Sequence, residues 1–159
     1  MGNRPRPPVP LFEHFPPGYA AMRALEDATA SGPLDDRLYE LVKLRASQLN
    51  GCAYCIDMHA KDARALGETD DRLNLLSVWR EVDLFDDAER AALALTEAVT
   101  LIADGHVPAE TEDRARAVFD DASYANLVFA IATINAWNRL AITGHSEAGH
   151  YQPRQRAAR

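Results

Sequence analysis

Residues 41–64 read LVKLRASQLNGCAYCIDMHAKDAR. No β-branched alternation runs through this stretch, and its apolar residues recur at helical spacing, so it predicts two helices joined by a tight turn. Gly51 is the natural stop of the first, because glycine accepts the left-handed conformation that ends helices. The second starts near Cys52. At about 100° per residue, Cys52, Cys55, Ile56, His59, Ala63 and Leu66 share its apolar stripe, while Asp57, Lys61 and Arg64 lie opposite. Both sulfurs and the imidazole therefore face inward, and Cys55 and His59, four apart, are neighbours.

The same helical grammar extends in both directions. Helices are expected over about 18–30, from Pro33 to Asn50, over 52–66, over about 70–79, over 87–104 behind an Asp86/Glu89 capping box, over 109–119 and over 122–143. Asp35-Asp36 supplies acidic complement to the start of the second. Residues 1–17 carry six of the nine prolines and are expected as an extended arm without helix. The expected fold is all-α: a compact single-domain bundle of about seven helices, with an arm (1–17), a helical domain (18–144) and a polar tail (145–159) that is loose or docked on a partner. The fifth helix (Leu93, Leu95, Val99, Leu101, Ile102) and the seventh (Leu127, Val128, Phe129, Ile131, Ile134, Leu140) read as apolar all round. Helices of that kind are buried all round, which predicts a homo-oligomer.

The 159 residues are 47% hydrophobic and 26% charged, with a formal net charge of −7. That balance excludes nucleic acid as a partner, since no basic excess is present to neutralise phosphates. No apolar run is long enough to span a bilayer, and prolines stand where an export signal needs an apolar helix, so a cytoplasmic location is expected.

In that compartment a close cysteine pair has three readings: a redox site, part of a metal site, or two buried thiols. As a zinc site, Cys52, Cys55 and His59 give three ligands and lack a fourth unless His145 or His150 docks. As a redox site, the helix N-terminus, the CxxC spacing and His59 all favour a thiolate, and apolar burial opposes it. The redox reading needs a polar partner to orient His59. Glu40, twelve residues before Cys52, is the candidate. It points away from the apolar stripe of Leu34, Leu38, Val42 and Leu49, so it reaches His59 only if that other face is covered, for instance by a neighbouring subunit.

Glu40, Cys52-x-x-Cys55 and His59, with residues 134–142 (INAWNRLAI) near the end, resemble the alkylhydroperoxidase D-like branch of the carboxymuconolactone decarboxylase family over roughly residues 15–145. The resemblance implies an all-α fold assembling as trimers or hexamers, with no metal or organic cofactor, and a thiol peroxidase that takes a hydroperoxide and an external dithiol. It implies Cys55 as the attacking thiol, Cys52 as the resolving one, and His59 with Glu40 as the proton relay. The well-known peroxidases carry histidine just before the second cysteine; this chain has Tyr54, a poor base near neutrality that can still hydrogen-bond in the pocket. The decarboxylase branch lacks the cysteine pair. Two alternatives stand beside the peroxidase: a redox-sensing oligomer without turnover, and a non-redox enzyme of the decarboxylase branch. Asn135, Trp137, Asn138 and Arg139 read as packing and subunit contacts, and His14, His106, His145 and His150 as loop or tail residues.

Overall fold

The computed structural model describes residues 7–153. Along them run α1 (Leu11–His14), α2 (Pro16–Ala30), α3 (Asp36–Asn50), α4 (Ala53–Ala65), α5 (Asp70–Leu75), α6 (Asp87–Thr100), α7 (Ala109–Val118) and α8 (Asp121–Thr143). Two 3-10 segments, Leu76–Glu81 and Ile102–Asp104, follow α5 and α6. Among the described residues there is no strand, and the helices form one compact domain.

Side-chain caps set most of the boundaries. Asp35 accepts from the backbone N–H groups of Arg37 and Leu38 and starts α3. Gly51, at φ 68°, ends it. Thr69 caps α5 and Asp120 caps α8. Asp86 and Glu89 form the expected reciprocal box at α6, each bond 2.9 Å long.

Among the described residues the helix count is eight rather than about seven, and the differences lie where proline misleads. The stretch expected as an unstructured arm contains α1 and the first turn of α2. Pro16 and Pro17 open α2 because the first-turn N–H groups that proline lacks have no helical partner anyway. The Val9 N–H donates to the Gly144 carbonyl at 2.9 Å, and the Phe12 ring packs on Tyr19 (4.8 Å) and Trp137 (5.9 Å). Residues 1–6 of the arm and 154–159 of the tail lie outside the described residues. The described part of the tail folds back on its own chain: the Tyr151 hydroxyl donates to Asp62 at 2.8 Å, and the Gly149 N–H to Asp57 at 3.1 Å.

The helix buried on every side is α3, not α6 or α8. It packs against α4, α6 and α8 at once. Leu41, Val42, Leu44 and Ala46 are sealed, and so are the polar Glu40, Lys43 and Ser47. Helix α8 buries Leu127, Ile131 and Ile134 against it but leaves Phe129 59% exposed, and Leu101 and Ile102 are open at the end of α6. The expectation of all-round burial for α6 and α8 is thus corrected within one chain: α3 occupies the centre, and each neighbour needs only one inward face. No helix among the described residues is long and apolar enough to cross a membrane.

Candidate active site

The turn at Asn50-Gly51 places the two thiols. Left-handed Gly51 reverses the chain, and Cys52 becomes the N-cap of α4, its sulfur accepting the Cys55 backbone N–H at 3.4 Å. Both cysteines are free thiols and both are sealed from solvent, packed among Ala46, Ile134 and Ala141. The Cys52 thiol is held down to about 7, first because Cys55 donates its S–H to it; burial opposes, and the Cys55 backbone N–H assists. The Cys55 thiol is pushed up by that same donation and by burial. That arrangement favours negative charge on Cys52, at the positive end of the helix, over Cys55. The side-chain amide of Asn138 stabilises both sulfurs as thiolates. Asn50 fixes its direction by donating to Asn138 Oδ1 (2.8 Å) and Asn135 Oδ1 (3.0 Å), which turns the Asn138 NH2 toward Ser47 Oγ, 3.0 Å away.

Glu40 and His59 meet inside the subunit. Glu40 Oε2 lies 2.7 Å from His59 Nδ1, and both side chains are almost wholly buried. No neighbouring subunit is required, because α2 and α4 cover the face of α3 that the helical wheel left outside. The other imidazole nitrogen, Nε2, is sealed from solvent and makes no hydrogen bond to any described residue, Cys55 included. Direct proton transfer between that nitrogen and the Cys55 sulfur is thus not in place in the resting geometry.

Behind this pair lies a second polar group that sequence reading missed. Lys43 Nζ donates to Glu26 Oε1, the Tyr39 hydroxyl donates to the same oxygen (3.1 Å), and Trp137 Nε1–H donates to Glu26 Oε2 (3.0 Å). Burial opposes the charge on Lys43, yet Glu40 and Glu26 together raise its ammonium above the ordinary lysine range. Glu26 is likewise disfavoured by burial and, through Lys43, ends below its ordinary value. A signal existed: Glu26 interrupts the inward stripe of α2 between Met22 and Thr29, and Lys43 lies three residues after Glu40 on one face of α3.

These residues border a cavity of about 1200 Å3 whose wall includes Cys55, His59, Tyr54, Trp137, Tyr19 and Phe12. Cys52 does not reach that wall; it lies behind Cys55. Tyr54 stands at the lining, with its phenol pushed up by burial and by negative charge on the cysteine pair. Trp137 and Asn138, expected as packing residues, belong to the site, because that turn of α8 faces the thiols rather than solvent. Arg139 is exposed and bonds within its own helix. His14, His106 and His150 are exposed and His145 half-buried, and none of them lines the cavity.

Glu40, His59 and Asp62 can offer one ligand atom each within 4.8 Å of one another. The donor set argues against a cation there: His59 Nδ1 is already engaged by Glu40, and the buried ammonium of Lys43 faces the same carboxylate. Neither cysteine belongs to such a cluster among the described residues.

The family model of the carboxymuconolactone decarboxylase family matches residues 16–98. The uncharacterised protein YdfG of Bacillus subtilis is 43% identical over 134 residues, covering 84% of this chain and 91% of its own. A crystal structure from Agrobacterium tumefaciens, of a protein of unknown function provisionally called the antioxidant defence protein AhpD, superposes with a TM-score of 0.88 at 38% identity. It covers 92% of this chain and 100% of its own. The debrominase Bmp8, solved as a cysteine-to-alanine variant with 2,3,4-tribromopyrrole, shares the fold at a TM-score of 0.78 and 18% identity, covering 87% of this chain and 74% of its own.

Proposed function

The chain belongs to the carboxymuconolactone decarboxylase family, and on that premise we propose that it is a thiol-dependent peroxidase that reduces organic hydroperoxides through a Cys52/Cys55 dithiol cycle. The observation that carries the reading is the division of labour between the sulfurs: Cys55 lines the cavity, and Cys52, outside that lining, caps the helix with its sulfur.

The chemistry follows from that arrangement. The shared proton passes from Cys55 to Cys52, and the Cys55 thiolate attacks the distal oxygen of the bound hydroperoxide. The O–O bond breaks, Cys55 becomes a sulfenic acid, and the departing alkoxide takes a proton to leave as an alcohol. Cys52 then gives up its proton and attacks the Cys55 sulfur, expelling hydroxide that is protonated to water. His59 handles the proton at Nε2, steadied at Nδ1 by Glu40. The balance is two thiols and one hydroperoxide to one disulfide, one alcohol and one water. An external dithiol restores the pair by exchange, which suits a reducing, cytoplasmic setting. Tyr54 lines the path as a hydrogen-bonding wall residue. The open face of α8 around Phe129 supports assembly into a homo-oligomer, with trimer or hexamer proposed from the family resemblance alone.

Steady-state hydroperoxide consumption with a dithiol reductant tests this. Cys55→Ser should abolish turnover. Cys52→Ser should leave a sulfenic acid that a dimedone-type reagent traps. Thiols that oxidise and recycle without consuming hydroperoxide would instead make the protein a sensor. Full activity in both variants would end the dithiol reading.

The aromatic wall of Phe12, Tyr19 and Trp137 supports a second reading, reductive dehalogenation of an aromatic ring, the kind of reaction named for Bmp8. Two thiols and one aryl bromide would give a disulfide, the dehalogenated ring and hydrogen bromide. Bromide release from a bromopyrrole in the absence of peroxide turnover would favour it.

A further inference from the structure

Lys43 is the charged group that the proposed mechanism leaves without a task. It is 4% exposed, lies in the middle of α3, and is gripped by Glu26 from α2. Its ammonium lies 4.6 Å from the centroid of the Tyr39 ring. A lysine buried to this degree is costly unless its charge serves nearby groups. Glu40 is one turn away on the same face, where residues three apart are neighbours.

Glu40 is itself buried, and burial by itself drives a carboxyl toward its neutral form. Which form it takes decides the state of His59. A carboxylate only accepts, so at 2.7 Å the proton between them must belong to His59 Nδ1. A neutral imidazole protonated at Nδ1 has its lone pair at Nε2, the nitrogen that no described residue engages. A protonated Glu40 would donate to Nδ1 instead. The imidazole would then carry its proton at Nε2, and the base beside the thiols would be lost.

We propose that Lys43, held in place by Glu26, is the positioning residue that keeps Glu40 a carboxylate and so fixes the Nδ1–H form of His59, leaving Nε2 as proton acceptor for the thiol pair. The same ammonium lowers the cost of negative charge on Cys55 at the moment of attack. Among the described residues, the charged and titratable groups around His59 are Glu40 and Lys43 from α3, Glu26 from α2, and Cys55 and Asp62 from its own helix, Asp62 being bonded to Tyr151 of the tail. Tyr54 and Arg23 line the same cavity. Arg23 is partly exposed and paired with Asp27 at 3.2 Å, so Lys43 is the buried cation of the set. The inference rests on the dithiol reading for its purpose, while the imidazole proton is observed without any turnover.

The test uses the full chain with nitrogen-15 histidine. Lys43→Met alone strands Glu26 in the interior and risks unfolding. The double variant Glu26→Gln/Lys43→Met removes both charges together and keeps the packing volume. In the wild type the nitrogen shifts should report Nδ1–H for His59, and in the double variant Nε2–H. Thiol alkylation near neutral pH should slow about tenfold in the double variant, the change that one unit in thiol pKa produces, and recover at higher pH. Lys43→Arg should restore both signals. A double variant that keeps the Nδ1–H signature and the wild-type alkylation profile overturns the proposal, as does a wild type protonated at Nε2. If the imidazole responds as expected and no hydroperoxide is consumed, the peroxidase reading fails while the role of Lys43 stands.

Discussion

At the scale of single residues, the site is organised by shared protons. Cys52 and Cys55 hold one between two sulfurs, and such a pair titrates as a unit. The reduced protein should therefore lose its first thiol proton with a midpoint at about 7, followed by ultraviolet thiolate absorbance. The second loss should lie well above the ordinary cysteine range, because Cys55 is both buried and beside the existing charge. Two independent titrations of ordinary thiols would contradict this arrangement. Glu26 makes a different pH prediction. Its carboxyl titrates below the usual 4.5 in the folded chain, so its contribution to stability is complete above that value and is lost as the pH falls through the region beneath it. Glu97, held by Arg45 (2.7 Å), Trp79 (2.9 Å) and Arg80, adds to the same acid sensitivity. Acid unfolding of wild type and Glu26→Gln should differ in steepness over that window. Cys52, Cys55 and His59 were legible because spacing along one helix brings them near one another, and Glu40 through the family resemblance, against a helical wheel that turned it away from the apolar stripe. Glu26 and Lys43 were not, because their union depends on how α2 lies over α3, and no local spacing encodes that.

At the scale of elements, the corner at Asn50-Gly51-Cys52 sets the geometry of the pair. Gly51 has a left-handed backbone, and a side chain added there would meet nothing within 4 Å, so the cost of replacing it is purely conformational. Gly51→Ala should destabilise the fold by about 1–2 kcal/mol and weaken the Cys52 cap, which chemical denaturation and the thiol titration would both register. Asp86→Ala at α6 should cost about 1 kcal/mol for the lost capping box and leave thiol reactivity untouched, since α6 meets α3 away from the sulfurs. Equal effects of the two variants on reactivity would show that the corner has no special part. Boundaries fixed by Gly51, Asp86 and Gly144 could be read from the chain, because each is a local chemical stop or start; the expected start of α3 is Pro33, with Asp35 inside the first turn, whereas Asp35 is its N-cap. The end of α5 could not: residues 76–81 tighten into a 3-10 turn so that Trp79 can bury its ring between Arg80 (4.1 Å) and Arg90 (5.3 Å), a tertiary demand.

At the scale of the whole molecule, composition argued for an apolar helix at the centre, yet the centre is α3 with Glu40, Lys43 and Ser47 inside it. Helical periodicity cannot rank helices by depth when the innermost one carries the polar machinery. What α8 leaves outside is a stripe of Ala125, Phe129 and Ala132, and Phe129→Glu should shift the protein toward smaller species in light scattering while the monomer keeps its helical signal. An unchanged size distribution would remove α8 from the assembly. Finally, Phe12 ahead of α2 and Tyr151 beyond α8 both border the cavity. Its wall is thus completed from both ends of the described chain, by the short helix α1 and by the tail, and Phe12→Ala should change which molecules are admitted before it disturbs the sulfurs within.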